Sequence, residues 1–196
     1  RLVLRDGGGV GQRRYLSLRG TDPSGTLVLL DGVPLNSPFS GGADLGGMDL
    51  VPLQSLVITR GGLSDRHGSA AVGGVVDARL RCPLTEPFSD LSLTLGSFGT
   101  ARLKALHAMR GEHVAGLASM GIQSSSGNFP YRDSRGQSGT RRHNGVAGIE
   151  GLVKVVVPAG RFGQFETFVE AAQDDREIAG LEQFPSDSAR QRDRRV

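Results

Sequence analysis

The chain has 196 residues, enough for one or two domains, and 30 of them are Gly, about twice the usual share. That excess favours turns and strands over a helical bundle. Aromatic residues make up 5% and Trp is absent, which excludes a stacking platform for single-stranded nucleic acid. The net charge is only +3, and Lys104 and Lys154 are the sole lysines, so scattered arginine ion pairs account for the basic character better than a nucleic-acid patch does. The single cysteine, Cys82, excludes an intramolecular disulfide framework and a paired-cysteine metal site. No apolar run approaches the roughly 18 residues of a membrane helix, which leaves open the short alternating strands of a membrane barrel.

In chain order, Tyr15–Leu18 reads as a strand stopped by Arg19-Gly20. Thr26–Leu30 is a β-rich run ending at Asp31-Gly32, a hairpin-type turn in which Asp31 serves geometry rather than chemistry. Residues 34–47 are polar and Gly-rich and read as a long loop. Residues 50–53, with Pro52, read as a bend or helical turn. Leu56–Thr59 is a strand closed by Arg60-Gly61. Residues 63–71 are expected to form a short helix. Gly73-Gly74 precede a third strand over residues 75–80. Gly20, Gly32, Gly61, Gly68, Gly73 and Gly74 are read as positions that backbone geometry reserves for glycine.

The texture then changes. Residues 83–89, with Pro83 and Pro87, read as a linker between a first domain (residues 1–82) and a second (residues 90–196). Beyond it the period is close to two. Leu91, Leu93 and Leu95 alternate with polar residues, and the pattern returns over 102–107, 114–123, 146–157 and 165–171. Short turns at 97–99, 110–112 and 158–163 contrast with long polar stretches at 124–144 and 174–190. Outer-membrane barrels show that rhythm, and soluble antiparallel sandwiches share the period.

No enzyme constellation emerges. Residues 7–11 are Gly-rich but lack the Gly-Lys-Ser/Thr ending of a phosphate loop. His67-Gly68-Ser69 is not a nucleophile elbow. The four histidines (His67, His107, His113 and His143) lack metal-ligand spacing. Asp133, Asp174 and Asp175 read as solvated acids of outer loops rather than calcium ligands. No cofactor is expected.

Four motifs carry a resemblance. They are Leu16-Ser17-Leu18-Arg19-Gly20, then Leu27 to Asn36 (Leu-Val-Leu-Leu-Asp-Gly-Val-Pro-Leu-Asn), then Leu56-Val57-Ile58-Thr59-Arg60-Gly61, then His67 to Val76 (His-Gly-Ser-Ala-Ala-Val-Gly-Gly-Val-Val). Their order and spacing resemble the plug domain of TonB-dependent outer-membrane receptors. Residues 40–45 and Gly96-Ser97-Phe98-Gly99-Thr100 are most similar to the cobalamin-receptor-like branch. The resemblance implies an α+β plug, a small mixed sheet with short helices. It is followed by about five antiparallel strands of an incomplete transmembrane β-barrel, in a chain truncated at both ends.

The resemblance further implies uptake of a metal chelate, cobalamin or siderophore, across the outer membrane of a Gram-negative bacterium. The implied partners are the chelate, outer-membrane lipid and the TonB complex, the last through a box preceding Arg1. Nucleic acid is not among them. Asn36, Ser37, Phe39, Ser40 and Asp44 would touch the ligand from the loop after the Asp-Gly turn. Arg19 and Arg60 would clamp the plug to carboxylates on the barrel wall, since a guanidinium stays charged and grips a carboxylate bidentately. The rival expectation is a stand-alone soluble β-rich binding or adhesion module. Such a module should bury one face of every strand and protect its edges.

Overall fold

The computed structural model describes residues 1–6, 13–61, 69–83, 86–132, 136–181, 184–186 and 188–195. They divide into two compact units, residues 1–82 and residues 83–196.

In the first unit, β1 (Leu2–Asp6) and β2 (Arg14–Leu18) form an antiparallel pair. A four-stranded sheet follows, built from β3 (Thr26–Leu30), β4 (Val33–Pro34), β5 (Leu53–Arg60) and β6 (Gly74–Leu80) in the order β4-β3-β6-β5. β3 and β6 are parallel, and the two outer pairings are antiparallel. Every residue of β3 is buried, so its apolar run reads continuously rather than alternating. Leu27 and Leu29 pack with Ala71 and Val75 on one side of the sheet. Burying each such leucine contributes roughly 1.5–3 kcal/mol.

Asp31 and Gly32 both have positive φ, 46° and 82°, and join β3 to β4 in a two-residue hairpin. Asp31 also accepts a hydrogen bond from Leu80 N at 2.8 Å, which ties the turn to the end of β6.

The expectation of short helices is corrected. Among the described residues there is no α-helix, only three-residue 3-10 turns at Pro23–Gly25, Ser69–Ala71 and Gly160–Phe162. The helix expected over residues 63–71 falls mostly outside the described residues, and only Ser69–Ala71 is seen, as a 3-10 turn. Gly73-Gly74, two residues beyond Ala71, disfavour continuing that turn as a helix, because glycine loses the most backbone entropy on ordering.

The second unit is a meander. β7 (Phe88–Gly96), β8 (Thr100–Arg110), β9 (Ala115–Ser125), β12 (Val146–Pro158), β13 (Gln164–Glu177) and β16 (Arg190–Arg195) form one antiparallel sheet in the order β16-β13-β12-β9-β8-β7. Two small hairpins lie in its long connections. β10 (Phe129–Arg132) pairs with β11 (Ser138–Arg141), and β14 (Gly180–Leu181) pairs with β15 (Phe184–Pro185). The sheet is open, not a closed barrel.

The polar stretch 174–190 is therefore not all loop. Asp174 to Glu177 extend β13, paired with β12 and with β16, where strand pairing overrides a polar sequence. The connections at 111–114 and 159–163 gather at one end of the sheet, and the long ones, 126–145 and 178–189, at the other. The 97–99 turn is short but lies at the long-loop end. There Phe98 meets Phe129 edge-on, with ring centroids 6.1 Å apart, and Ser126 Oγ donates to Phe98 O at 2.6 Å.

Candidate functional site

The loop from Asn36 to Asp44 is framed by its own side chains. The Asn36 Oδ1 accepts from Val28 N at 2.8 Å, while its Nδ2 donates to Thr26 O at 3.0 Å and Gly41 O at 2.7 Å. Ser37 Oγ accepts from the N–H groups of Phe39 and Ser40, both at 3.3 Å, and Ser37 O accepts from Gly41 N at 2.8 Å. Asp44 Oδ1 accepts from Arg14 N at 3.0 Å and Gly46 N at 2.9 Å. Three of the five side chains expected at a ligand thus brace the loop. Only the tip is presented outward, with Ser40 exposed and Phe39 at 102% exposure.

Asn36→Ala removes three hydrogen bonds and leaves Val28 N without a side-chain acceptor. A loss of about 2–4 kcal/mol is expected. It would be read as faster hydrogen exchange at the amides of β3.

Arg19 and Arg60 are both exposed, and neither makes an ion pair with a described residue. Their neighbours converge on Gly73-Gly74. A Cβ at Gly73 would lie 2.6 Å from Thr21 Oγ1 and 3.0 Å from Leu18 O. One at Gly74, whose φ is 138°, would lie 2.6 Å from Thr59 O and 3.6 Å from Arg60 Cα. The Arg19-Gly20 turn and the Arg60-Gly61 strand end therefore flank the same glycine pair. Gly68 lies outside the described residues.

Thr26 is a hub that the sequence did not single out. Its buried hydroxyl accepts from Leu18 N at 3.0 Å, tying β2 to β3. Nothing in sequence separates this threonine from any other β-rich position.

In the second unit the two faces of the sheet differ sharply. One presents exposed apolar side chains: Leu91 (75%), Leu93 and Leu95 on β7, Met120 and Ile122 on β9, Val153 on β12, and Phe165 (76%) and Val169 on β13. The other carries ion pairs and is largely buried. Lys104 Nζ lies 3.0 Å from Glu150, Lys154 Nζ 2.7 Å from Glu166, and Arg195 3.3 Å from Glu170. Lys154 is only 3% exposed. These pairs were missed because each joins different strands, and only register brings the partners together.

Asp174 and Asp175 do not share a site. Asp174 faces the buried side with Gln123 and Arg176, and Asp175 faces outward beside Arg192. Among the described residues, no group of three or more His, Cys, Asp or Glu could hold a metal ion.

Residues 2–75 match the TonB-dependent Receptor Plug Domain family. The first unit is thus similar to a TonB-dependent receptor plug domain over almost its whole length. A vitamin B12 transporter, BtuB of Vibrio vulnificus, is 44% identical over 69 residues, covering 35% of this chain and 11% of the relative. The siderophore receptor PirA of Acinetobacter baumannii superposes with a TM-score of 0.63 at 21% identity, over 89% of this chain and 27% of that one. The FrpB iron transporter of Neisseria meningitidis gives 0.65 at 16% identity, over 89% of this chain and 28% of that one. At these identities the superpositions show a shared fold over 89% of this chain. The chain spans about a tenth of the curated relative and under a third of the two solved structures.

In the first unit, Phe39 and Ser40 are exposed at the loop tip.

Proposed function

We propose that this chain is the plug and first barrel strands of a TonB-dependent outer-membrane receptor that imports a metal chelate of the cobalamin or siderophore class. One observation carries the reading. The sheet following the plug exposes leucine, valine and phenylalanine on one face and holds ion-paired Lys104, Lys154 and Arg195 on the other. A soluble sandwich would reverse that arrangement, because exposed charge and buried leucine minimise its free energy in water. A barrel in lipid needs the apolar face outward and accepts a charged interior.

The plug's part in this mechanism is capture and release. Phe39 supplies an apolar surface for the organic part of a chelate, and the braced loop holds it in place. Arg19 and Arg60 would pair with carboxylates of the barrel wall and hold the plug until the inner-membrane TonB complex pulls on it. No bond is made or broken in the cargo. The likeness to receptors for vitamin B12, siderophores and iron supports the cargo class.

The test is uptake of labelled cyanocobalamin and of a ferric siderophore by cells carrying the full-length receptor, with and without a functional TonB. Energy-dependent uptake of either is expected. Uptake of neither, together with recovery of the protein in the soluble fraction, would refute the reading. Phe39→Ser is expected to weaken chelate binding about tenfold, the usual cost of losing an aromatic anchor. Plug stability should stay within about 0.5 kcal/mol, because the ring is fully exposed.

A further inference from the structure

The arginine-rich strand β16 sorts its charges by face. Arg190, Arg192 and Arg194 alternate with Gln191, Asp193 and Arg195, so the first three stand on the apolar side of the sheet and Arg195 on the other. Each of the three lies directly opposite a polar residue of β13: Glu177, Asp175 and Gln173. Arg192 donates through Nε to Asp175 Oδ1 at 2.7 Å, and Arg194 through Nε to Gln173 Oε1 at 3.0 Å. Arg190 lies 3.7 Å from Glu177. A guanidinium held by its Nε keeps the four N–H bonds of its two terminal nitrogens for another acceptor. All three side chains are exposed.

Their height relative to the apolar band follows from register. Leu93, at the middle of the band on β7, leads through Leu103, Ile122 and Ile149 to Gln173 on β13. The large exposed apolar residues of β13 are Phe165 and Val169 instead, centred near Thr167. A drift of six residues over four strand steps is about 1.5 residues per step, the stagger of strands tilted at roughly 45°. On such a tilt, Gln173 stands about 14 Å from the midplane, just beyond the half-height of an apolar band roughly 25 Å tall. Arg194 is beside it, and Arg192 and Arg190 lie further toward the long loops. Below Arg194, a shallow depression is lined by Met120, Ile149, Val153 and Val169. An apolar trough ending at an arginine ladder fits a molecule with acyl chains and a phosphate.

We propose that Arg190, Arg192 and Arg194 bind the phosphate of an outer-leaflet lipid headgroup whose acyl chain lies along the Met120–Val169 trough. The inference rests on the barrel reading above. Asp175 and Gln173 act as positioning residues. They orient the forks outward, and the arginine excess over Asp175 and Glu177 leaves the rim positive.

The experiment is native mass spectrometry of the full-length receptor in detergent, titrated with bis-phosphorylated lipid A, with its phosphate-free form, and with inorganic phosphate. The wild-type protein is expected to prefer the phosphorylated lipid at least tenfold. The variant carrying Arg190→Gln, Arg192→Gln and Arg194→Gln should lose that preference, while Arg132→Gln, a loop arginine outside the rim, should keep it. Equal binding of the two lipids by wild type would overturn the proposal without reference to any variant. So would retention of the preference in the triple variant, or displacement of the lipid by an equal concentration of inorganic phosphate. Heat-modifiable migration of the same samples tests the barrel itself. If it is absent, the barrel reading falls and the rim falls with it. If it is present, the lipid result judges the rim alone.

Discussion

Val153→Arg is expected to abolish outer-membrane assembly of the full-length protein if the proposed barrel reading holds. Val153 lies on β12 opposite Val169 on one side and Ala118 on the other, at the centre of the exposed apolar band. An arginine at the midplane of a membrane strand costs about 2–4 kcal/mol, which lowers the assembled fraction roughly 30-fold or more. In a soluble protein the same half-exposed position would tolerate the change within about 0.5 kcal/mol. The measurement is the heat-modifiable band of unboiled outer-membrane fractions. Val153→Leu serves as the control and should behave as wild type. Normal assembly of Val153→Arg would show that this face does not meet lipid and would refute the membrane reading.

The second large effect belongs to the first unit. Gly74→Ala places a methyl group 2.6 Å from Thr59 O and 2.9 Å from Leu18 Cδ1, at a φ of 138° that side chains rarely adopt. Strain costs about 1–3 kcal/mol and overpacking a similar amount, so a loss of roughly 3–5 kcal/mol is expected. Gly20→Ala isolates the strain component. Its φ is also positive, but a Cβ there would meet nothing within 4 Å, so about 1 kcal/mol is expected. Hydrogen exchange of the β6 amides in the full chain reads both. A loss below about 1 kcal/mol for Gly74→Ala would mean that the β5 end and Leu18 can move apart, and the close approach would not be structural.

Much of the first unit was legible because its signals are local. Asp31-Gly32 after Thr26–Leu30 specifies a two-residue hairpin through the φ values it permits, and the hairpin is there. The short helix was not legible in the same way. Small residues at 69–71 suit a tight turn as readily as a helix, and the turn is what forms. The loop residues show the deeper limit. Asn36, Ser37 and Asp44 are polar, near a loop apex and chemically able to bind a ligand. Their hydrogen-bonding capacity is spent on Val28, Thr26, Gly41 and Arg14, neighbours that only folding supplies. Phe39 is the contrary case. Nothing local occupies its ring, so its exposure was predictable from the polar, Gly-rich residues around it.

The amino-acid sequence by itself determined the plug motifs, the Asp-Gly hairpin, the change of texture near Cys82 and the two-residue period beyond it. These depend on backbone geometry and on the alternation of side chains along a strand, both properties of neighbours in the chain. Tertiary structure alone decided which parity faces outward, which lysine meets which glutamate, and that Arg190, Arg192 and Arg194 part company with Arg195. A period of two defines two faces but assigns neither to a medium. That assignment comes from the register of six strands, since slipping one of them by a single residue would exchange its leucines for its charges.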